Sequence, residues 1–180
     1  MAQHNETIKG AGRIWRVIMW GSIVTLLILP GLAMRVTSEV NWTGSDFVFA
    51  AVLLGSVGLA VELTVRASGS WSYRGAMFIA IALMFLTVWA NGAVGIIGNE
   101  DNPLNLLYFV PLLIGWAAAA MVRLRARPLS LIVAAIAVSQ FVIAGVAAAN
   151  GYWVWIAAAV IGAGWSLSSF LFDGSAKAKG

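Results

Sequence analysis

Residues 129–149 read LSLIVAAIAVSQFVIAGVAAA and contain no charged side chain. A hydrocarbon core about 30 Å thick takes roughly 20 helical residues to cross, and this run is long enough. Apolar and polar positions do not alternate in it, as they would in a barrel strand, and such a strand needs only about 10 residues. A segment that leaves water must pair its own backbone N–H and C=O groups, and an α-helix does that within itself. The run is therefore read as a membrane-spanning helix.

Further runs of the same kind lie on both sides of it, at 14–34, 47–65, 75–98, 106–122 and 152–172. The connections between them, at 35–46, 67–74, 99–105, 123–128 and 150–151, are short, so consecutive helices are expected to be antiparallel neighbours. The predicted fold class is an all-α integral membrane protein of about six transmembrane helices in an up-down bundle. Residues 14–172 form one domain, with a polar N-terminal tail at 1–13 and a C-terminal tail at 173–180. Composition agrees. The chain is 61% hydrophobic and 10% charged with a mean hydropathy of +0.91, whereas a soluble domain is about 25% charged.

The basic residues test this count independently. With both termini cytoplasmic, Lys9, Arg13, Arg16, Arg66, Arg74, Arg123, Arg125, Arg127, Lys177 and Lys179 fall inside and only Arg35 outside, as the positive-inside rule expects. Trp15, Trp42, Trp71, Trp153 and Trp155 lie near span ends, at the headgroup level that amphipathic rings prefer. The small residues Gly31-Leu32-Ala33 after the first run resemble a cleavage site. The run is long for a signal, however, and a retained first helix is expected.

Several chemistries are closed to this sequence. It has no cysteine, hence no thiolate ligand or nucleophile, and its one histidine, His4, lies in the tail. Neither a bis-histidine haem site nor a histidine-built zinc site fits inside the spans of one chain. No nucleophile–base pair or nucleotide loop is present. Catalytic, cofactor-binding and metal-binding residues are therefore all read as none. The basic balance is accounted for by span ends, so no nucleic-acid partner is expected.

What remains is a short set of polar positions. Glu62 is the one acidic residue inside a span, and an intramembrane ionisable group invites a functional reading. Arg66 follows one helical turn later and is expected to pair with it. Asn91 and Gln140 lie within the third and fifth spans, placed to bond to each other across helices or to line a polar cavity with Glu62. Asn99, Glu100, Asp101, Asn102 and Asn105 form the densest polar cluster. There Asp101 or Asn102 is expected, ahead of Pro103, to end the third helix and cap the fourth, with a binding or partner-contact role as the alternative. Ala158, Gly162, Ser166 and Ser169 make a small-residue stripe suited to helix packing.

The stretch 88–105, VWANGAVGIIGNEDNPLN, together with Val40-Asn41-Trp42-Thr43 ahead of Asp46-Phe47, resembles a family of small, uncharacterised bacterial inner-membrane proteins. The resemblance covers residues 40–140. It implies a bacterial cytoplasmic membrane and carries no activity with it. The leading functional reading is a non-enzymatic accessory or structural subunit whose partners are the lipid bilayer and a membrane protein or a second copy. The alternative is a small-solute or ion permease with a polar path near Glu62, Asn91 and Gln140.

Overall fold

The computed structural model of the chain describes residues 2–178, with side chains from residue 14 onward. The tail residues His4, Lys9, Arg13 and Lys179 fall outside the described side chains. The elements are α1 (Ala2–Val36), α2 (Gly44–Ala67), α3 (Trp71–Ala93), a 3-10 helix (Pro103–Tyr108) running into α4 (Phe109–Met121), α5 (Ala126–Ala149) and α6 (Trp155–Lys177). Among the described residues six helical stretches are long and apolar enough to cross a membrane, from Ile14–Val36 to Trp155–Lys177. By length and composition the chain is a multi-pass membrane protein.

Local chemistry sets the helix ends. Thr43 and Asp46 cap α2 reciprocally: the Asp46 carboxylate accepts from the Thr43 N–H (2.7 Å) and hydroxyl (2.8 Å), and Thr43 Oγ1 accepts from the Asp46 N–H (3.4 Å). Ser70 caps α3 by accepting from the Tyr73 N–H. Of the two caps the sequence offers, Asn102 is the one that caps the 3-10 helix, accepting from Leu104 N–H at 3.0 Å with Pro103 behind it. Two boundaries differ from the sequence reading. The third span stops at Ala93 rather than 98, because the chain turns into the left-handed region at Gly95 (φ 71°). The sixth helix continues through the expected tail to Lys177, where Lys177 pairs with Asp173 one turn back at 2.6 Å.

The chain divides into two compact units, residues 1–62 and 63–180. In the first, α1 and α2 run antiparallel. Gly58 lies against Trp20 and Ile23, and Gly31 against Phe47. In the second, α5 packs against α4 and α6, and α6 also packs against α3. Helices in lipid gain little from the hydrophobic effect on meeting, so close approach decides their stability. A Cβ at Gly115 would come within 2.7 Å of Ile136, and one at Gly164 within 2.9 Å of Leu83. Of the small-residue stripe, Ala158 and Gly162 are buried and Ser169 donates to the Ser130 carbonyl at 2.8 Å. Ala158, Gly162 and Ser169 serve packing within the chain, while Ser166 is exposed and donates to the Gly162 carbonyl of its own helix at 2.8 Å.

Candidate functional site

The core of the second unit is divided. One apolar cluster contains Tyr73, Leu112, Val133, Ile136, Ala137, Trp165 and Phe172. The other contains Ile97, Tyr108, Ile143, Ala144, Val154 and Ala158. On α5, Gln140 sits between Ala137 of the first cluster and Ile143 of the second. On α3 and the loop after it, Asn91 sits between Val88, which packs on the first cluster, and Ile97 of the second. Each amide thus stands, along its own helix, between residues of the two apolar masses, with Gln140 1% exposed and Asn91 4%.

Each amide turns its donor back on its own helix. Asn91 Nδ2 donates to the Thr87 carbonyl at 2.7 Å, and Gln140 Nε2 to the Ile136 carbonyl at 3.2 Å. A carbonyl can only accept, so these bonds fix which way each amide points. The acceptors, Asn91 Oδ1 and Gln140 Oε1, are left without a hydrogen-bond partner. The bond between Asn91 and Gln140 that the sequence suggests is not what the structure forms. Two further buried groups are unpartnered, the Tyr108 hydroxyl and the Trp165 indole N–H. Both rings belong to the flanking clusters. Each such orphan costs about 1–3 kcal/mol, and buried polar atoms are so regularly satisfied that four on the inside of one four-helix unit require an explanation.

The set has a definite chemical character. It offers two acceptors, one donor, and one hydroxyl able to do either. Among the described residues of this unit no charged one is buried. Groups of this kind complement an uncharged molecule that carries both O–H or N–H donors and an oxygen acceptor. An ion would meet no opposite charge there and would lose its hydration.

The remaining candidates fall elsewhere. Glu62 belongs to the first unit, where its carboxylate meets Arg16 Nε at 3.3 Å with its side chain 16% exposed. The sequence looks for a partner on the same helix and finds Arg66. Arg16, on the facing helix, is invisible to that search. Asn105 is buried and organises the connection between α3 and the 3-10 helix. Its Oδ1 accepts from Ile96 N–H (3.0 Å) and Ile97 N–H (2.8 Å), and its Nδ2 donates to the carbonyls of Asn99 (2.7 Å) and Ile97 (3.3 Å). Asn99, Glu100 and Asp101 are exposed around it. The dense polar cluster is thus first a folded loop, built on Asn105 and capped by Asn102. Sequence reasoning missed Tyr108 and Trp165. The one available signal for either was a hydrogen-bonding ring inside an apolar run.

In comparisons with protein-family models, curated proteins and solved structures, the chain matches none of them.

Proposed function

We propose that this protein is a permease for a small, uncharged polar solute, which it takes up at Asn91, Tyr108, Gln140 and Trp165. The four unpartnered polar atoms on the inside of α3–α6 carry this reading. It keeps the transport alternative drawn from the sequence and narrows it. The substrate is a neutral alcohol- or amide-like molecule rather than an ion, and the second unit alone supplies the binding groups. Asn91 Oδ1 and Gln140 Oε1 accept from the solute's donors, and the Trp165 N–H donates to its oxygen.

Flux into proteoliposomes, followed by stopped-flow light scattering under a glycerol or urea gradient, tests it. The wild-type protein is expected to exceed protein-free liposomes. Gln140→Leu is expected to reduce that excess at least fivefold without lowering thermal stability, since the long donations it gives up, to the Ile136 carbonyl (3.2 Å) and Ser139 Oγ (3.4 Å), are offset by removal of the orphaned Oε1. Equal flux with and without protein sinks the proposal.

A second reading, an accessory subunit without transport of its own, is favoured by α1. Its crossing stretch exposes Ile14, Val17, Ile18 and Leu32, each more than half exposed, to whatever lies beside it in the membrane. The same flux assay separates the two readings. We place the protein in the bacterial cytoplasmic membrane with both termini inside, as the partition of lysines and arginines supports. Reporter fusions at residues 43 and 102 are expected on the periplasmic side, and a cytoplasmic signal from either overturns that topology.

A further inference from the structure

The turn between α4 and α5 points to a second site, and we propose that it is a docking site for the headgroup of an anionic phospholipid. Six α-helices provide the comparison, and two of them, α4 and α5, end alike. At the end of α5, the Gly151 N–H reaches the Ala148 carbonyl and the Tyr152 N–H reaches the Ala147 carbonyl. At the end of α4, the Arg123 N–H reaches the Ala120 carbonyl and the Leu124 N–H the Ala119 carbonyl. This is the same paired 5→2 and 6→1 closure, which puts its first residue past the helix in the left-handed region and is normally built on glycine. After α5 that residue is Gly151 (φ 86°). After α4 it is Arg123 (φ 52°), followed by Leu124 at φ 55°.

A side chain in this conformation is strained, and such strain persists where the surroundings enforce it and the side chain has a use. The surroundings are clear. Leu124 packs on the core cluster, and its carbonyl accepts from the Tyr73 hydroxyl at 2.8 Å. Tyr73 is itself buried against Phe172, ring to ring at 5.3 Å. Leu124 therefore has a use in packing. Arg123 is exposed and is not part of the core cluster, so its use is outward.

The charges around it say what it faces. Arg123, Arg125 and Arg127 are all exposed, and none of their guanidinium groups makes a hydrogen bond or ion pair. Other cations at this end of the unit are engaged. Arg74 donates to the carbonyls of Ser68 (2.8 Å) and Val65 (3.1 Å), and Lys177 is held by Asp173. Moreover Arg125 and Arg127 stand at the start of α5, which has no acidic residue in its first turn and no side-chain cap. Cations at the positive end of a helix are electrostatically misplaced unless an anion lies among them. A turn joining two membrane-crossing helices sits at the water–lipid boundary, where the anion present in quantity is the lipid phosphate. The planar guanidinium fork binds phosphate in two-point fashion.

Thermal unfolding in detergent separates the uses. The purified full chain is compared in mixed micelles containing phosphatidylglycerol, in micelles containing phosphatidylcholine, and with inorganic phosphate added. For the wild type, phosphatidylglycerol is expected to raise Tm by several degrees more than either of the others. Arg123→Gly reproduces the α5 terminus, so its Tm without anionic lipid is expected to rise by roughly 2–4 °C, while the phosphatidylglycerol increment falls to half or less. The double variant Arg125→Gln/Arg127→Gln, which leaves the left-handed residues alone, is expected to lose the increment too. An undiminished increment in both variants overturns the proposal. So does an Arg123→Gly protein that is less stable than wild type, since Arg123 is then structural. Equal stabilisation by inorganic phosphate also overturns it, because the site then reads a free anion rather than a lipid.

Discussion

Replacing Asn105 by alanine is expected to cost about 4 kcal/mol, one of the largest losses available to a single substitution in this chain. The side chain is 4% exposed and makes four hydrogen bonds, all to backbone groups of the 96–99 segment. Its removal strands two N–H groups and two demands on carbonyls at once. An orphaned buried backbone group costs about 1–3 kcal/mol, and Ile97, which contributes both an N–H and a carbonyl, is fully buried. The neighbouring asparagines provide the controls. Asn102→Ala removes one cap bond to Leu104 N–H and is expected to cost about 1 kcal/mol. Asn99 takes part through its backbone carbonyl, so Asn99→Ala is expected to stay within about 0.5 kcal/mol of wild type. Thermal or denaturant unfolding in one detergent gives the ranking directly. If Asn99→Ala proves as damaging as Asn105→Ala, the loop is not held in the way described.

These three asparagines also show where the sequence stops being legible. The membrane spans were readable because length and charge depletion are properties of a segment by itself, and hydrocarbon imposes them. Asn102 was readable because a cap and the proline after it are adjacent in the chain. Asn105 was recognised as polar but not as the centre of the loop, because its partners lie six to nine positions back, at no helical or strand period. The same boundary misplaced the end of the third span. Val94, Ile96 and Ile97 are apolar and continue the run, yet the N–H groups of Ile96 and Ile97 belong to Asn105 rather than to a helix. Glu62 repeats the lesson. Periodicity can offer Arg66, four residues on, but cannot offer Arg16, whose place beside Glu62 depends on the register of two antiparallel helices. The candidate site was half visible. Asn91 and Gln140 stand out in apolar runs, but that their acceptors lack partners is a fact about packing.

Gly95→Ala is expected to destabilise the protein by about 3 kcal/mol, and its comparison with Gly98→Ala tests the reasoning. Both glycines have φ of 71°, so both substitutions carry the same left-handed penalty of about 1 kcal/mol. They differ in what the new methyl would meet. At Gly95 it would lie 2.2 Å from the Asn99 carbonyl oxygen and 2.7 Å from the Glu100 nitrogen. Those are backbone atoms, and the Asn99 carbonyl is the one that Asn105 Nδ2 holds at 2.7 Å. To make room the loop must move, and moving it breaks the best donation Asn105 makes. At Gly98 the methyl would meet the Asn102 amide and the Tyr152 ring, each at 3.0 Å. Side-chain ends can give by a few tenths of an ångström at small cost. Gly98→Ala is therefore expected to lose only about 1 kcal/mol, mostly strain, while Gly95→Ala loses strain and loop together. Because the Gly95 loss acts through Asn105, the two substitutions are not expected to add: the double variant Gly95→Ala/Asn105→Ala should fall short of the sum of the singles by about 1 kcal/mol or more. Additive losses would mean that Gly95 and Asn105 hold the loop independently, and the account of the α3 terminus would have to be rebuilt.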